Sequence, residues 1–349
     1  FPMGPLAPRD QPEVLAHWKP LEEAISRWSA QRSDGSIALV GAAGVGKTTT
    51  LNLLQERLDT PLTIRRSKLS GKPIAPAAVV AMLAEVLELE GVEDEEGLVE
   101  AIRGAYPPLP KGSEEGLDDE PREAPAAPLP MIVLDDCHHL FLRHVGGFAG
   151  WKLFVRVVDA TCDRLLWLLT FDQTAWDYLT NAAGRVHHFR RVIPLPLWDE
   201  GQLQELIIRR MRRARYRTSF SELMKVADLQ GPDMRVQLER TKAGYFRMLW
   251  DASGGNPRVA TLYWLRSLEV DHQRRLAQVR FFASPTIERL QELPEPYAFA
   301  LAAIAEHGKM LAEELAKATN LSLDFCRSSL RICLEEGLLE AEEDQRVKL

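Results

Sequence analysis

Three short stretches of this chain hold residue types that could do chemistry together. The first is Gly41-Ala42-Ala43-Gly44-Val45-Gly46-Lys47-Thr48, followed by Thr49. Its spacing, G-x-x-x-x-G-K-[ST], lets a glycine-rich turn point backbone N–H groups inward at phosphate oxygens. A helix opening where the turn ends adds partial positive charge at the same place. In such a loop Gly41, Ala42, Ala43, Gly44, Val45, Gly46 and Thr49 line the phosphates. Lys47 then reaches the β- and γ-phosphates, and Thr48 ligates Mg²⁺. The expected ligand is ATP or ADP with Mg²⁺. The flanks agree with this reading: Ser36 to Val40 form a short apolar strand, and Thr49 to Leu58 form a helix with an apolar face.

The second stretch is Met131-Ile132-Val133-Leu134-Asp135-Asp136. Its apolar run predicts a strand buried on both faces, as in a parallel sheet. The carboxylates fall at the strand's C-terminal end, where open α/β sheets bind ligands. The stretch looks like a Walker B motif, with Asp135 holding Mg²⁺ and Asp136 polarising the attacking water. Aspartate is shorter than glutamate and positions water less well, which slows turnover. The third stretch is Ser253-Gly254-Gly255-Asn256-Pro257-Arg258-Val259-Ala260. Gly254 and Gly255 end one helix, and Pro257 is a first-turn residue of the next. Arg258 then sits at a helix beginning, where a cation opposes the macrodipole; a phosphate partner explains it better than helix stability does.

The elements that must position these stretches read as an α/β fold. Val14 to Gln31 is a helix with Leu15, Trp18, Leu21, Ile25 and Trp28 on one face; it either covers an adenine base or only packs on the sheet. Strands are expected at Leu62–Arg65, Leu165–Phe171 and Arg190–Leu195, and helices at Ala75–Glu90, Glu95–Gly104, Trp151–Arg164 and Asp172–Ala182. Pro107 to Pro130 is rich in Pro, Glu, Asp, Gly and Ala, and too poor in large apolar residues to offset its ordering entropy. The expected organisation is a linker over 1–13, a P-loop core over 14–196 with a mobile acidic insertion at 107–130, an all-α lid over 197–290 and a winged helix over 291–349. The core is expected to be a P-loop NTPase sheet of the ASCE type, parallel with helices on both faces.

In the lid, Asp199 is an N-cap before an apolar face of Leu203, Leu206, Ile207 and Met211. Arg209, Arg210, Arg212, Arg213, Arg215 and Arg217 follow as the densest basic run of the chain. Such a run touches nucleic acid, acidic lipid or a neighbouring subunit's nucleotide, or is a solvated helix face; the last is the ordinary explanation. In the C-terminal part, helices are expected over Ala298–His307, Leu311–Thr319 and Ser322–Glu335, then a hairpin. If it bound DNA, its third helix would lead with Ser322, Asp324, Arg327, Ser328 and Arg331. From Tyr297 to Leu349 six basic residues face ten acidic ones, a net of −4. Phosphate neutralisation dominates DNA affinity, so a protein-contact role is favoured there over DNA.

The whole-chain net charge of −7 gives no global basic field for nucleic acid. Cys137, Cys162, Cys326 and Cys333 form no C-x-x-C pair and read as reduced thiols, which places the protein in the cytoplasm or at the inner face of a membrane. The chain begins at Phe1 rather than methionine, which suggests a trimmed or processed start. Membrane association would need a segment outside this sequence, because no apolar run is long enough to span a bilayer.

Together the three stretches resemble the AAA+/STAND branch of P-loop ATPases. Gly255 to Ala260 is similar to the G-D-x-R-x-A sensor-2 box of origin-recognition initiators, to the G-x-P-R box of secretion-associated ATPases and to the G-L-P-L motif of STAND switches. The resemblance implies that Arg258 contacts the γ-phosphate from the lid and that Thr170 senses the same phosphate, although a threonine at a strand end is also unremarkable. It implies an ATPase, slow in turnover, that acts as a nucleotide-dependent conformational or oligomerisation switch. Lid and winged helix would then serve self-association or a protein partner. The same resemblance leaves open a DNA-binding ATPase of initiator or transposition-regulator type, and an ATPase scaffold of a membrane assembly. One departure is the stretch Arg185-Val186-His187-His188-Phe189-Arg190, where ring-forming members carry an arginine finger; only Arg185 or Arg190 could substitute.

Overall fold

The computed structural model describes residues 18–31, 35–58, 62–108, 128–182, 189–224, 232–283, 291–342 and 344–348. The linker 1–13, Arg185, His187 and His188, and most of the expected insertion lie outside these residues. The chain divides into two compact units. The sheet unit comprises Lys19–Gly41, Arg57–Pro194 and Leu290–Leu349; the lid unit comprises Phe1–Trp18, Ala42–Glu56 and Leu195–Arg289.

The sheet unit is built on strands β1 (Ser36–Gly41), β2 (Leu62–Lys68), β3 (Leu129–Asp135), β4 (Leu166–Asp172) and β5 (Arg191–Pro194). They pair in the order β2-β3-β4-β1-β5, and every pairing is parallel. The sequence accounts for the order. The three inner strands read SIALVG, LPMIVLD and LWLLTFD, near-continuous apolar runs for burial on both faces. The outer strands, LTIRRSK and RVIP, are largely half-buried or exposed and carry arginine, as edges do. Strand β3 begins at Leu129, two residues inside the expected insertion, because Leu129 is buried and pairs with Leu62.

Helices α1 (Trp18–Gln31), α3 (Pro76–Leu87), α4 (Glu95–Ala105), α5 (Ala149–Thr161) and α6 (Gln173–Ala182) accompany this sheet; α2 (Lys47–Arg57) lies, except for its last residue, in the lid unit. Trp151, Phe154, Trp167 and Phe171 fill the core, with Trp151 edge-on to Phe171 at 5.8 Å. Trp28 of α1 is buried and donates through Nε1 to the Cys162 carbonyl at 3.1 Å, at the end of α5.

In the lid unit, α7 (Glu200–Ala214) starts at a capping box between Asp199 and Gln202 and buries Leu203, Leu206, Ile207 and Met211, as the sequence pattern requires. Strand β6 (Arg217–Ser219), α8 (Pro232–Ser253), α9 (Pro257–Arg266), β7 (Leu268–Asp271) and β8 (Leu276–Val279) follow. The expected all-α lid therefore needs a correction, since β6, β8 and β7 form a three-stranded sheet. Arg215 takes a left-handed conformation (φ 59°) that stops α7, and the chain leaves it extended. Beyond α9 the apolar period changes from helical to alternating: Ala277 and Val279 point inward and their neighbours do not.

The rest of the sheet unit is helical: α10 (Glu295–His307), α11 (Ala312–Thr319) and α12 (Leu323–Glu335), then the short antiparallel pair β9 (Glu340–Ala341) and β10 (Val347–Lys348). Met310 bridges Val347. Ile304, Met310, Leu315, Cys326, Leu330, Cys333 and Val347 form its core together with Leu142. Besides Leu142, polar contacts attach it to the segments that follow β2 and β3. Lys72 Nζ donates to the His307 carbonyl at 2.6 Å, and Arg143 pairs with Glu306 at 3.0 Å. Gly308 (φ 69°) lies so close that a Cβ there would meet His138 Nε2 at 2.8 Å.

Candidate functional site

The residues singled out by their chemistry fall into two groups, one in each unit. In the sheet unit they stand at the C-terminal ends of β3 and β4. These strands pair in parallel up to Leu134 and Leu169, which brings Asp135 beside Thr170. Asp135 is fully buried and accepts from Thr170 Oγ1 at 2.6 Å, with Arg66 Nη2 3.7 Å from its other oxygen. Asp136 has a left-handed backbone (φ 62°, ψ 41°), and its N–H donates to the same Thr170 hydroxyl at 2.9 Å. Its carboxylate pairs with Lys68 at 3.2 Å and is partly exposed. Thr170 thus fixes the spacing of the two acids. Cys137, the next residue, is buried, and burial together with the nearby Asp135 charge raises its thiol pKa well above the ordinary value. It is inert as a nucleophile.

In the lid unit the glycine-rich loop leads straight from the end of β1 into α2. Gly44 (φ 82°) and Gly46 (φ 119°) take conformations that L side chains rarely adopt. The Thr50 N–H donates to the Gly46 carbonyl at 2.9 Å, which closes the first turn of α2. Lys47 is buried and folds back to donate from Nζ to the Ala42 carbonyl at 3.0 Å. Thr48 and Thr49 follow in the first turn of α2.

Three lid residues hold this loop. Trp198 Nε1 donates to the Val45 carbonyl at 3.1 Å. Asn256 Nδ2 donates to the Ala43 carbonyl at 2.8 Å, while its Oδ1 caps α9 by accepting from the N–H groups of Arg258 (3.0 Å) and Val259 (3.3 Å). Arg258 packs over Gly44 so closely that a Cβ on the glycine would stand 2.5 Å from the Arg258 Cβ. The guanidinium of Arg258 has no carboxylate within ion-pair distance among the described residues. Behind them, a Cβ on Gly255 would meet the Trp198 carbonyl at 2.6 Å, and that carbonyl accepts from Trp250 Nε1 at 2.9 Å.

Each group brings its predicted members together: Asp135, Asp136 and Thr170 in one, Lys47, the loop glycines and Arg258 in the other. Sequence reasoning missed Trp198 and Asn256. Asn256 had a signal, because asparagine before a first-turn proline is a strong N-cap. Trp198 had none beyond its place one residue before the Asp199 cap. Among the described residues no three His, Cys, Asp or Glu side chains gather to hold a metal. No helix among them is long and apolar enough to cross a membrane.

The strand order carries a further mark. The loop-bearing strand β1 is separated from the acid-bearing strand β3 by β4, as expected of an ASCE sheet. Residues 30–171 match the family model described as an AAA domain. The chain carries an AAA+ P-loop domain. The Aeropyrum pernix ORC2 protein, solved as ADPNP–ADP complexes, is similar in structure: 13% identical, 97% of this chain against 90% of that one, TM-score 0.50. The CDC6P structure from Pyrobaculum aerophilum is 16% identical over 98% of this chain and 91% of its own, with a TM-score of 0.43. The Thermotoga maritima RuvB Holliday junction branch migration motor is 16% identical over 95% and 91%, with a TM-score of 0.40. At such identities the likeness to ORC2 is one of fold. Comparison with curated proteins gives no match.

Proposed function

We propose that this AAA+ protein binds ATP with Mg²⁺, hydrolyses it slowly and acts as a nucleotide-dependent switch. The observation that carries the reading is the grip of Asn256 and Trp198 on the phosphate-loop carbonyls of Ala43 and Val45. Any ligand that reshapes this loop acts directly on the α9 cap and on the residue before α7. Phosphate recognition would therefore change lid contacts without an intermediary, which is the differential interaction a switch needs.

Lys47 leaves the Ala42 carbonyl for the phosphates in this reading, and Arg258, packed on Gly44, supplies the second cation. The Thr48 hydroxyl and the Asp135 carboxylate would each supply an oxygen, the donor type that suits Mg²⁺. The bound ion would neutralise charge on the phosphate oxygens. Asp136, partly exposed and held by Thr170 and Lys68, orients the attacking water and takes its proton. The C-terminal helices contact protein rather than DNA: Arg327 is paired with Glu313 at 2.9 Å and Arg331 with Glu335 at 3.5 Å.

Titration with ATP tests the reading. Lys47→Ala is expected to weaken binding about a hundredfold, the scale of losing a charge-assisted contact in a buried setting. Retained affinity in the variant, or no binding by the natural chain, overturns the proposal. Light scattering with ADP and then with a non-hydrolysable analogue separates the two forms of switch: an unchanged molar mass assigns it to one chain, and a step upward assigns it to assembly.

A further inference from the structure

The three-stranded sheet of the lid unit joins two arginine runs that lie far apart in the sequence. One is Arg209 to Arg217, at the end of α7 and the start of β6. The other is Arg274-Arg275, in the loop between β7 and β8. The Arg217 N–H donates to the Arg275 carbonyl at 2.9 Å, where β6 and β8 begin their parallel pairing. Tyr216 and His272 join the same two segments through a 2.8 Å hydrogen bond between Oη and Nδ1. Residues 209–217 and 271–275 together hold eight arginines and one acid, Asp271, in a chain whose net charge is −7.

Arg212, Arg213, Arg215, Arg217, Arg274 and Arg275 are all exposed. Asp271 pairs with Arg274 at 3.7 Å. Among the described residues no carboxylate stands within ion-pair distance of Arg212, Arg215, Arg217 or Arg275. Past the end of β8 the pattern is the reverse, since Arg280 there is held by both Glu222 and Glu269. Arg215 and Arg275 also occupy left-handed backbone positions (φ 59° and 49°), where glycine or asparagine would sit with less strain. Arg209 at the start of the run pairs with Glu205, whereas Arg212, Arg215, Arg217 and Arg275 are gathered near one end of the small sheet with no carboxylate within ion-pair distance among the described residues.

We infer that this arginine face binds the phosphodiester backbone of double-stranded nucleic acid without reading its bases. Guanidinium forks match phosphate oxygens in pairs, which lysine cannot do, and both runs are all arginine. A bilayer fits less well. A helix that lies on a membrane buries an apolar face in it, and the apolar face of α7 is already used inside the protein, with Leu203, Leu206, Ile207 and Met211 buried.

The test is fluorescence anisotropy of the whole chain with a labelled duplex of arbitrary sequence, about 30 base pairs long, across a salt series. With four phosphates neutralised, log K falls against log salt with a slope of about −3.6, so affinity drops about a hundredfold between about 50 and 200 mM salt. Combined substitution of Arg212, Arg215, Arg217 and Arg275 by glutamine should remove most of the low-salt affinity and flatten that slope. The same four positions changed to lysine should keep the slope. Both variants should retain the ATP affinity and melting temperature of the natural chain, which separates this result from a folding defect and from failure of the nucleotide reading. Equal duplex binding by the glutamine variant overturns the inference. So does absence of duplex binding at low salt, or binding to phosphatidylserine vesicles with none to the duplex.

Discussion

The acids of the sheet unit and the phosphate loop of the lid unit are built in opposite ways. Asp135, Asp136 and Thr170 are bonded to one another and to strand ends, and Asp135 and Thr170 are fully buried. Their positions follow from the register of β3 on β4, which the strands' packing holds firmly. The loop is held instead by single bonds from Lys47, Asn256 and Trp198, and each lands on a carbonyl oxygen rather than on an amide N–H. Phosphate needs the amides. A clamp on the carbonyls orients the loop without competing for them. One group is preorganised by burial, and the other is kept adjustable by contacts that can be exchanged one at a time.

Breaking the rigid group should have the larger effect. Asp136→Asn leaves volume and hydrogen-bonding shape nearly intact, and asparagine tolerates the left-handed conformation that Asp136 adopts. Melting should change little. Loss of a general base removes about a hundredfold or more of turnover, while ATP affinity stays near that of the natural chain. A phosphate-release assay beside an ATP titration reads both. Unchanged turnover would reduce Asp136 to the ion-pair partner of Lys68.

The same contrast explains what could be read in advance. The acids were legible because a buried parallel strand needs a continuous apolar run, and Met131 to Leu134 has nothing else to be. The loop was legible because its glycines are required by backbone geometry. The clamp was not, since a tryptophan and an asparagine holding carbonyls leave no periodic trace. The β6-β8-β7 sheet escaped for a different reason. Each of its strands is only three or four residues long, and its alternation begins directly after a helix. The arginine face depends on that sheet, so Arg274 and Arg275 could not be joined to the earlier run from sequence alone.

Acid should distinguish the sheet unit from the loop clamp next. His307 is fully buried, and burial, aided by the charges of Lys72 and Arg143 and by His138 and His144, lowers its pKa to about 3. Burial likewise holds His139 well below the ordinary range, with Lys72, His138 and Arg346 adding to it. Glu306, the acid beside His307, is itself shifted upward by burial. A histidine whose folded pKa is depressed contributes its full stability above the unfolded value near 6.5 and loses it as pH falls toward the folded value. The attachment of α10 to the turn after β3 should therefore weaken by up to about 1.4 kcal/mol per pH unit per histidine below about pH 6.5. The loop clamp, made of Trp198 and Asn256, does not titrate. Thermal melting from pH 7 to pH 5 checks this, and His307→Gln should flatten the dependence; an equal slope in the variant would move its source elsewhere.

The smallest effect isolates the clamp itself. Asn256 does two things, capping α9 with Oδ1 and holding Ala43 with Nδ2. Asn256→Ala loses both, and the lost cap alone costs about 1 kcal/mol of stability. Asn256→Ser keeps a capping oxygen but has no amide to reach the loop. Its melting temperature should stay near that of the natural chain while its nucleotide dissociates several-fold faster in a stopped-flow chase, about the worth of one neutral hydrogen bond. If the serine variant releases nucleotide at the natural rate, the contact from Asn256 to Ala43 is only packing, and the grip on the loop rests on Trp198. If it releases faster without melting earlier, the cap and the clamp are separable functions of one side chain, and the lid senses the phosphate loop through the second.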